Sequence, residues 1–492
     1  MGYNGDRNET FGVCVSMAKF IGRKLELERL LELTKKKTAS FVVVRGRRRI
    51  GKSRLVEEFS KNFDNFYAFS GLPPDKNTTT AHQVEEFSRQ ISREFNTARA
   101  KFEDWSDAFW AIGERVQSGK TLVLFDEISW MGSKVLTFLG KIKNLWDDHL
   151  KKNDKLIFVI CGSASSWIEK NILSSTGFVG RVSYTLCLNE LPLADCAEFW
   201  PENVSAYEKF KVLSVTGGVP KYLEEILPHK SAEENILRLC FREGGFLVNE
   251  FERIFADIFI RNSDYYKKII RSLLAGQKEQ KEICDDLGIK RHGRISEYLD
   301  ELYLAGFVTP DYNWNLKTGA DSKVRKYRLS DNYMRFYLRY VETNLNNIKR
   351  NSFSLGSLTS LSQWPVVMGL QFENLVLNNR LKVWQQLGIN PANIIQDNPF
   401  FQKRLSNQDG CQIDYLIETK FNTLYVCEIK FSKNPVGVDV IKEVQQKIDK
   451  LKKPRGFSCR PVLIHVNGVT SDLLEADYFA EIIDFSELLQ SS

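Results

Sequence analysis

Eight consecutive residues, Gly46-Arg47-Arg48-Arg49-Ile50-Gly51-Lys52-Ser53, have the spacing GxxxxGK[ST]. The glycines let backbone N–H groups turn inward around phosphate oxygens, Lys52 supplies a point charge for the outer phosphates, and the Ser53 hydroxyl suits Mg²⁺. At average residue usage this pattern arises by chance about 0.02 times in such a chain, so it reads as a phosphate-binding loop rather than a flexible basic loop. The apolar run 121–125 ends in Asp126-Glu127. A first carboxylate there suits the Mg²⁺ shell and a second can orient a water, roles that fall to Asp126 and Glu127 in that order.

A second pair of acids lies near the other end. Asp414 and Glu428 sit in apolar stretches on either side of Phe421. If the stretches form a hairpin folded near Phe421, the two carboxylates are equidistant from the turn and oppose each other. Like charges opposite one another on a sheet are destabilising, so a cation is expected between them. Alternation puts Lys430 on the face of Glu428. Two carboxylates holding Mg²⁺ or Mn²⁺ beside an ammonium match what phosphodiester hydrolysis needs. Glu373, in Gln371-Phe372-Glu373-Asn374, is a candidate third carboxylate, and Gln445 on the following helix can point to the same face; a surface position is the other reading of each.

These residues need elements to position them. Residues 20–33 read as a helix, 41–44 as a strand, and the phosphate loop opens a further helix. Strands are expected at 66–70, 121–125, 156–161 and 183–188, with helical spacing at 84–95 and 134–150, which implies an α/β core around a parallel sheet. After Pro192 the strand signal fades, and residues to about 262 read as helices interrupted at Gly217, Gly218 and Pro220. Helices at 265–274, 281–287 and 291–305, then a hairpin at 308–329, follow the order of a winged helix. The Asn- and Ser-rich stretch 342–362 reads as a linker. A helix at 366–387, strands at 394–401, 411–417 and 424–431, a helix at 438–451 and a strand at 461–466 form the last unit.

The chain has 492 residues, 43% hydrophobic and 27% charged, with a formal charge of +7. That length suggests about three folded domains, and the composition excludes fibrous or disordered classes. No apolar run approaches the roughly 20 residues of a membrane span. Nine cysteines, scattered and without a CxxC pair, fit reduced thiols in a cytoplasmic protein. The first sixteen residues lack the layout of a secretory signal, with Met17 as an alternative start. The charge excess is compatible with an anionic partner without requiring one.

The segments FIGRKLELERL, GRRRIGKS, VLFDE and CGSAS resemble the archaeal-type ATPase family, a branch of the AAA-like and STAND P-loop NTPases, from about Phe20 to the end of the chain. The resemblance implies ATP and Mg²⁺ as ligands and a nucleotide-binding set of residues 46–53, Arg54, Gly22 and Arg23, the last two near the adenine. It implies that Ser163 is a polar sensor, with a helix N-cap as the other reading, and that Arg181 is an arginine finger, with a surface ion pair as the other. Gly217-Gly218-Val219-Pro220 resembles the family's turn after the core. Asp414, Glu428, Lys430 and Glu373 resemble the PD-(D/E)XK nuclease superfamily, although Gln412-Ile413 precedes Asp414 where an acid is usual, and no Pro does.

The expected architecture is therefore a P-loop α/β core (19–200), a helical lid (201–262), a winged helix (263–330), a connector (331–362) and an α/β restriction-endonuclease-like domain (363–492). Arg45, Arg47, Arg48 and Arg49 can meet phosphates, a neighbouring subunit's carboxylates in a homo-oligomer, or solvent. Arg291, Arg294, Lys317, Lys323, Arg325 and Lys326, beside Tyr312 and Trp314, can contact DNA, or the winged helix can act as a lid. Two functions remain open: an ATPase coupled to a metal-dependent DNA nuclease, or a nucleotide-gated switch whose last domain binds a partner without cutting nucleic acid.

Overall fold

The computed structural model describes residues 19–73, 77–132, 135–259, 263–289, 293–406 and 408–490, without the side chains of residues 323 and 324. Met17, Arg291 and the Lys323 side chain thus lie outside what is described.

Strand β1 (Ser40–Gly46) is apolar without alternation because it is covered on both faces. Val42 and Val44 face helix α1 (Lys52–Ser60) through Leu55, Val56 and Phe59, while Phe41 and Val43 face a separate aromatic core. Strands β2 (Asn65–Ser70), β3 (Thr121–Asp126), β4 (Ile157–Gly162) and β5 (Val182–Leu188) complete an all-parallel sheet of order β2-β3-β4-β1-β5. Parallel pairing requires crossovers. Helices α2 (Thr80–Glu94), α3 (Trp105–Arg115) and α4 (Phe138–Asp148) supply them and line the aromatic core with Phe87, Trp105, Phe109, Phe138 and Trp146. The C-terminal ends of β1, β3 and β4 therefore share one edge, where the phosphate loop, Asp126 and Ser163 follow.

Beyond β5 come α5 (Ala206–Thr216), α6 (Ala232–Cys240) and α7 (Glu250–Ile258). Ser205 caps the first, and a Ser231/Glu234 capping box starts the second. Helices α8 (Ser263–Ser272), α9 (Gln280–Leu287) and α10 (Gly293–Leu304) follow, with a three-stranded antiparallel sheet of β6 (Lys278–Glu279), β7 (Val308–Trp314) and β8 (Asp321–Leu329) in the order β6-β8-β7.

The first part of the expected connector, before the stretch 342–362, is packed into the fold. Segments Asn332–Phe336 and Tyr337–Val341 are helical, and Tyr333, Met334, Phe336, Tyr337 and Val341 are buried in the main core. Aromatic residues carry this packing, which the neighbouring Asn and Ser composition masks.

The last unit holds α11 (Trp364–Asn378) and a mixed sheet of β9 (Ile394–Gln402), β10 (Cys411–Thr419), β11 (Thr423–Phe431), β12 (Ser458–Val466) and β13 (Glu481–Asp484). The order is β13-β12-β11-β10-β9, with β9, β10 and β11 antiparallel and the rest parallel. Helix α12 (Asp439–Lys450) makes the crossover from β11 to β12. Tyr415, Ile417, Cys427 and Ile429 join the main core, while Ile413, Leu416, Leu424 and Val426 pack with Val440 and Val444 of α12.

The β7–β8 hairpin is docked on this sheet. Trp314 is buried among Phe400 and Ile413 and donates to Glu418, Asn313 donates to the Phe401 carbonyl at 2.8 Å, and Lys326 lies over the Phe401 ring. Helix α10 faces the parallel-sheet core through Glu301, which binds Lys170 at 2.7 Å. Trp314 and Lys326, both from the expected DNA-facing set, are thus spent on intramolecular contacts. Trp314→Ala is expected to destabilise the protein by about 3–5 kcal/mol through cavity formation. It also orphans Glu418, and hydrogen exchange should accelerate in β7 and β9 together; unchanged exchange in β9 would contradict the docking.

Candidate functional site

The phosphate loop turns on Gly46 (φ 149), Arg49 (φ 70) and Gly51 (φ 89) before α1 begins at Lys52. Lys52 is buried, and its Nζ donates to the carbonyls of Gly46 (3.1 Å) and Arg47 (3.2 Å) and to Ser163 Oγ (2.9 Å). Burial pushes this ammonium below its usual value, opposed by the nearby Glu127. Ser53 Oγ donates to Asp126 Oδ2 at 2.6 Å, which joins the hydroxyl and the carboxylate expected around Mg²⁺. Glu127 follows in the left-handed region (φ 48), a strained conformation for a non-glycine residue. Its two oxygens accept from the N–H (3.1 Å) and O–H (2.9 Å) of Ser163. Lys52, Ser163 and Glu127 thus form one chain of hydrogen bonds across the ends of β1, β3 and β4. In that arrangement Ser163 grips Glu127 and is not an N-cap: the helix following it shows no side-chain cap.

A cavity of about 510 Å³ opens beside this chain. Arg23, Arg48, Arg49, Lys52, Ser53 and Arg54 line it, all from the expected set. Arg23 ties the cavity wall together by donating to the carbonyls of Ile50 (3.1 Å) and Asn189 (2.6 Å). Gly22 (φ 71) leaves no room for a Cβ against the Asp195 carboxylate. Trp130, Phe199, Pro220, Lys221 and Glu224 also line the cavity. Of these only Pro220 stood in a segment with a sequence signal, the glycine–proline turn; the others depend on tertiary approach. Arg181 is not among the lining residues; it forms a forked pair with Asp147 at 2.7–3.2 Å, the surface alternative to an arginine finger. That pair holds the Asp147 carboxyl well below the usual range.

The loop's arginines meet this chain's own carboxylates. Arg45 pairs with Glu169 at 2.6 Å, Arg48 with Asp257, and Arg49 with Glu250 at 3.0 Å. Arg47 points away from the cavity: its Nε donates to Asp331 Oδ2 at 2.5 Å, and its guanidinium lies 5.1 Å from the Tyr222 ring and 5.6 Å from the Phe307 ring. Burial alone would lower its pKa, but Asp331 more than reverses this and holds the charge.

From Asp331 the buried polar contacts continue into the last unit. Asn332 Nδ2 donates to the Gln371 carbonyl (3.1 Å), Asn374 donates to Asn332 (2.9 Å), and Arg335 donates to Gln371 Oε1 (3.1 Å). Arg328 joins Asp311 at 2.8 Å and also reaches Asn374. Beside the loop's other flank, Glu190 fills the space a Cβ at Gly217 would need and accepts from the Gly218 N–H and Asn378, and burial raises its carboxyl to about 7.

At the far end, Thr419 opposite Thr423 through Tyr415 opposite Cys427 sets the hairpin register, and one further step brings Asp414 beside Glu428 as expected. Lys430 Nζ lies 3.1 Å from Glu428 Oε1. The cation between the acids is Lys447, which the sequence reading passed over: its Nζ lies 3.1 Å from Asp414 Oδ1 and 2.5 Å from Glu428 Oε2. Gln445, expected on that face, instead donates to Asp449 and accepts from Tyr478. Glu373 lies near enough for Asp414 to act on it, and burial, then Asp414, raise its carboxyl to about 8. Among the described residues, no three His, Cys, Asp or Glu side chains are grouped to hold a metal ion.

A family model of ATPase domains found predominantly in Archaea matches residues 20–226. The matched segment contains the phosphate loop, Asp126, Glu127 and Ser163. An uncharacterized protein of Methanocaldococcus jannaschii is 26% identical over 358 residues, 72% of this chain and 76% of that protein. An uncharacterized ATP-binding protein of Pyrococcus horikoshii is 26% identical over 280 residues, 50% of this chain and 85% of that protein. A Walker-type ATPase of Pyrococcus abyssi aligns over 65% of this chain and 96% of its own at 16% identity and a TM-score of 0.46. The ORC2 protein of Aeropyrum pernix aligns over 69% and 98% at 14% identity and a TM-score of 0.40. No described helix is long and apolar enough to cross a membrane.

Two stability predictions arise from the loop's flanks. Asp331→Ala leaves Arg47 charged, buried and unpaired, at an expected cost of about 3–5 kcal/mol, and adding Arg47→Met should recover much of it; additive losses in melting would contradict the pairing. For Glu190, the folded carboxyl keeps its proton up to about 7 while the unfolded one releases it near 4.5. Its stabilising contribution is therefore full below pH 4.5 and is lost as pH rises to about 7. The melting difference between the parent and Glu190→Gln should shift across that window, by up to roughly 3 kcal/mol; a flat difference would refute it.

Proposed function

We propose that the protein binds ATP in the cavity beside the phosphate loop and hydrolyses it, and that nucleotide state acts on the C-terminal domain. The hydrogen-bonded chain Lys52–Ser163–Glu127, beside Ser53–Asp126, carries this reading. Ser53 and Asp126 would hold Mg²⁺, which neutralises phosphate charge when bound. Phosphate oxygens offer the Lys52 ammonium better acceptors than its own loop carbonyls. Glu127, once released by Ser163, orients the attacking water.

Residues 201–262 act as the lid, since Glu250 and Asp257 hold the loop's Arg49 and Arg48. Residues 263–330 have the winged-helix order, and their hairpin's contacts with β9 and β10 favour an internal, lid-like role over groove reading. A nuclease reading of 363–492 rests on one observation, the convergence of Asp414, Glu428 and Lys430 on neighbouring strands. DNA is then the proposed partner.

Lys52→Ala is expected to abolish nucleotide binding and phosphate release together. Glu127→Gln should bind a fluorescent ATP analogue like the parent and turn over roughly 10²–10⁴-fold more slowly. Parental turnover in Lys52→Ala would refute the site. For the second reading, Mg²⁺- or Mn²⁺-dependent DNA cleavage by the parent should vanish in Asp414→Ala, and absence of any cleavage favours the partner-binding switch.

A further inference from the structure

Two carboxylates on adjacent strands suit a hard divalent cation, yet as arranged here they do not accept one. Asp414 Oδ1 and Glu428 Oε2 share Lys447 Nζ, Glu428 Oε1 is in contact with Lys430, and Asp414 Oδ2 accepts from the Ile429 N–H at 3.0 Å. Each of the four oxygens already has a donor. A divalent ion approaching these carboxylates would meet the ammonium groups of Lys430 and Lys447 already in contact with them.

We propose that Lys447 is a tethered cation that closes the Asp414–Glu428 site, and that a divalent metal ion binds there only when this ammonium is displaced. The inference rests on the metal-site reading above and specifies its control. Displacement means movement of the Lys447 side chain or of α12, since the ammonium lies within 3.1 Å of both acids. The same helix also sends Glu443, four residues before Lys447, to Lys430 at 2.5 Å, so one helix restrains both lysines. It is anchored below by Val440 and Val444. Lys447 is only partly exposed, at 25% of its side chain, so solvent reaches the ammonium without replacing its two acids.

The test is Mn²⁺ binding to the full chain without nucleotide, read as loss of the free-ion electron paramagnetic resonance signal. Every protein carries Asp126→Asn to silence the ATP site. Lys447→Met, which keeps the stem and removes the charge, is expected to bind Mn²⁺ at least tenfold more tightly than the parent. Lys447→Arg should stay near the parent, and Lys447→Met with Asp414→Asn should lose the gain. Without metal, Lys447→Met should melt below the parent because two acids are left facing each other, and Mn²⁺ should restore it. If Lys447→Met does not fold, Lys447→Gln, which still donates hydrogen bonds, carries the same comparison. Equal Mn²⁺ affinity in the parent and Lys447→Met overturns the closing role while leaving a metal site. No saturable binding in any variant overturns the metal-site reading itself, and the closing role with it.

Discussion

A single buried guanidinium ties the phosphate loop to the rest of the molecule. Arg47 stands inside the glycine-flanked loop, yet its charge is committed to Asp331 at 2.5 Å, between the rings of Tyr222 and Phe307. The four residues come from the parallel-sheet core, the helices after β5, the three-helix unit and the segment that enters the last unit. A buried charge is tolerable only while its partner stays in place. The loop's position and the packing of these four parts are consequently one problem, and a loop that shifts on binding phosphates cannot leave Asp331 undisturbed.

The same constraint explains how much of the molecule was legible. The spacing of Gly46, Gly51, Lys52 and Ser53, and the acids that end β3, announce their chemistry because local backbone geometry dictates them. The strand order follows almost as directly, since apolar runs without alternation demand cover on both faces. Arg47, Arg48 and Arg49 look alike in sequence, and only long-range partners, up to 284 positions away for Asp331, separate the buried staple from the contacts with Asp257 and Glu250. Tyr333 and Tyr337 form a core element just before the Asn- and Ser-rich stretch 342–362, in a segment for which the sequence carries no strand or helix expectation. Lys447 was missed for a similar reason: on α12 it is one of several lysines, and only the crossover from β11 to β12 sets it over the acids.

Both candidate sites hold a lysine where a ligand's charge is expected. Lys52 caps its own loop's carbonyls, and Lys447 bridges Asp414 and Glu428. Each arrangement satisfies polar groups whose burial without a partner would be costly. An incoming phosphate gives Lys52 a stronger acceptor, whereas an incoming cation offers Lys447 nothing and must compete with it. The first site is thus poised to load and the second is held shut, an asymmetry that suits a molecule in which nucleotide acts before the C-terminal domain does.

Hydrogen exchange in the full chain, with and without a non-hydrolysable ATP analogue, tests that order most directly. The account predicts altered exchange in the helical segment Asn332–Phe336, in Trp364–Asn378 and in Thr423–Phe431 on nucleotide binding, and predicts that Asp331→Asn confines the change to the ATPase core. Nucleotide binding that leaves those three segments unchanged in the parent, while the phosphate loop itself becomes protected, would contradict it.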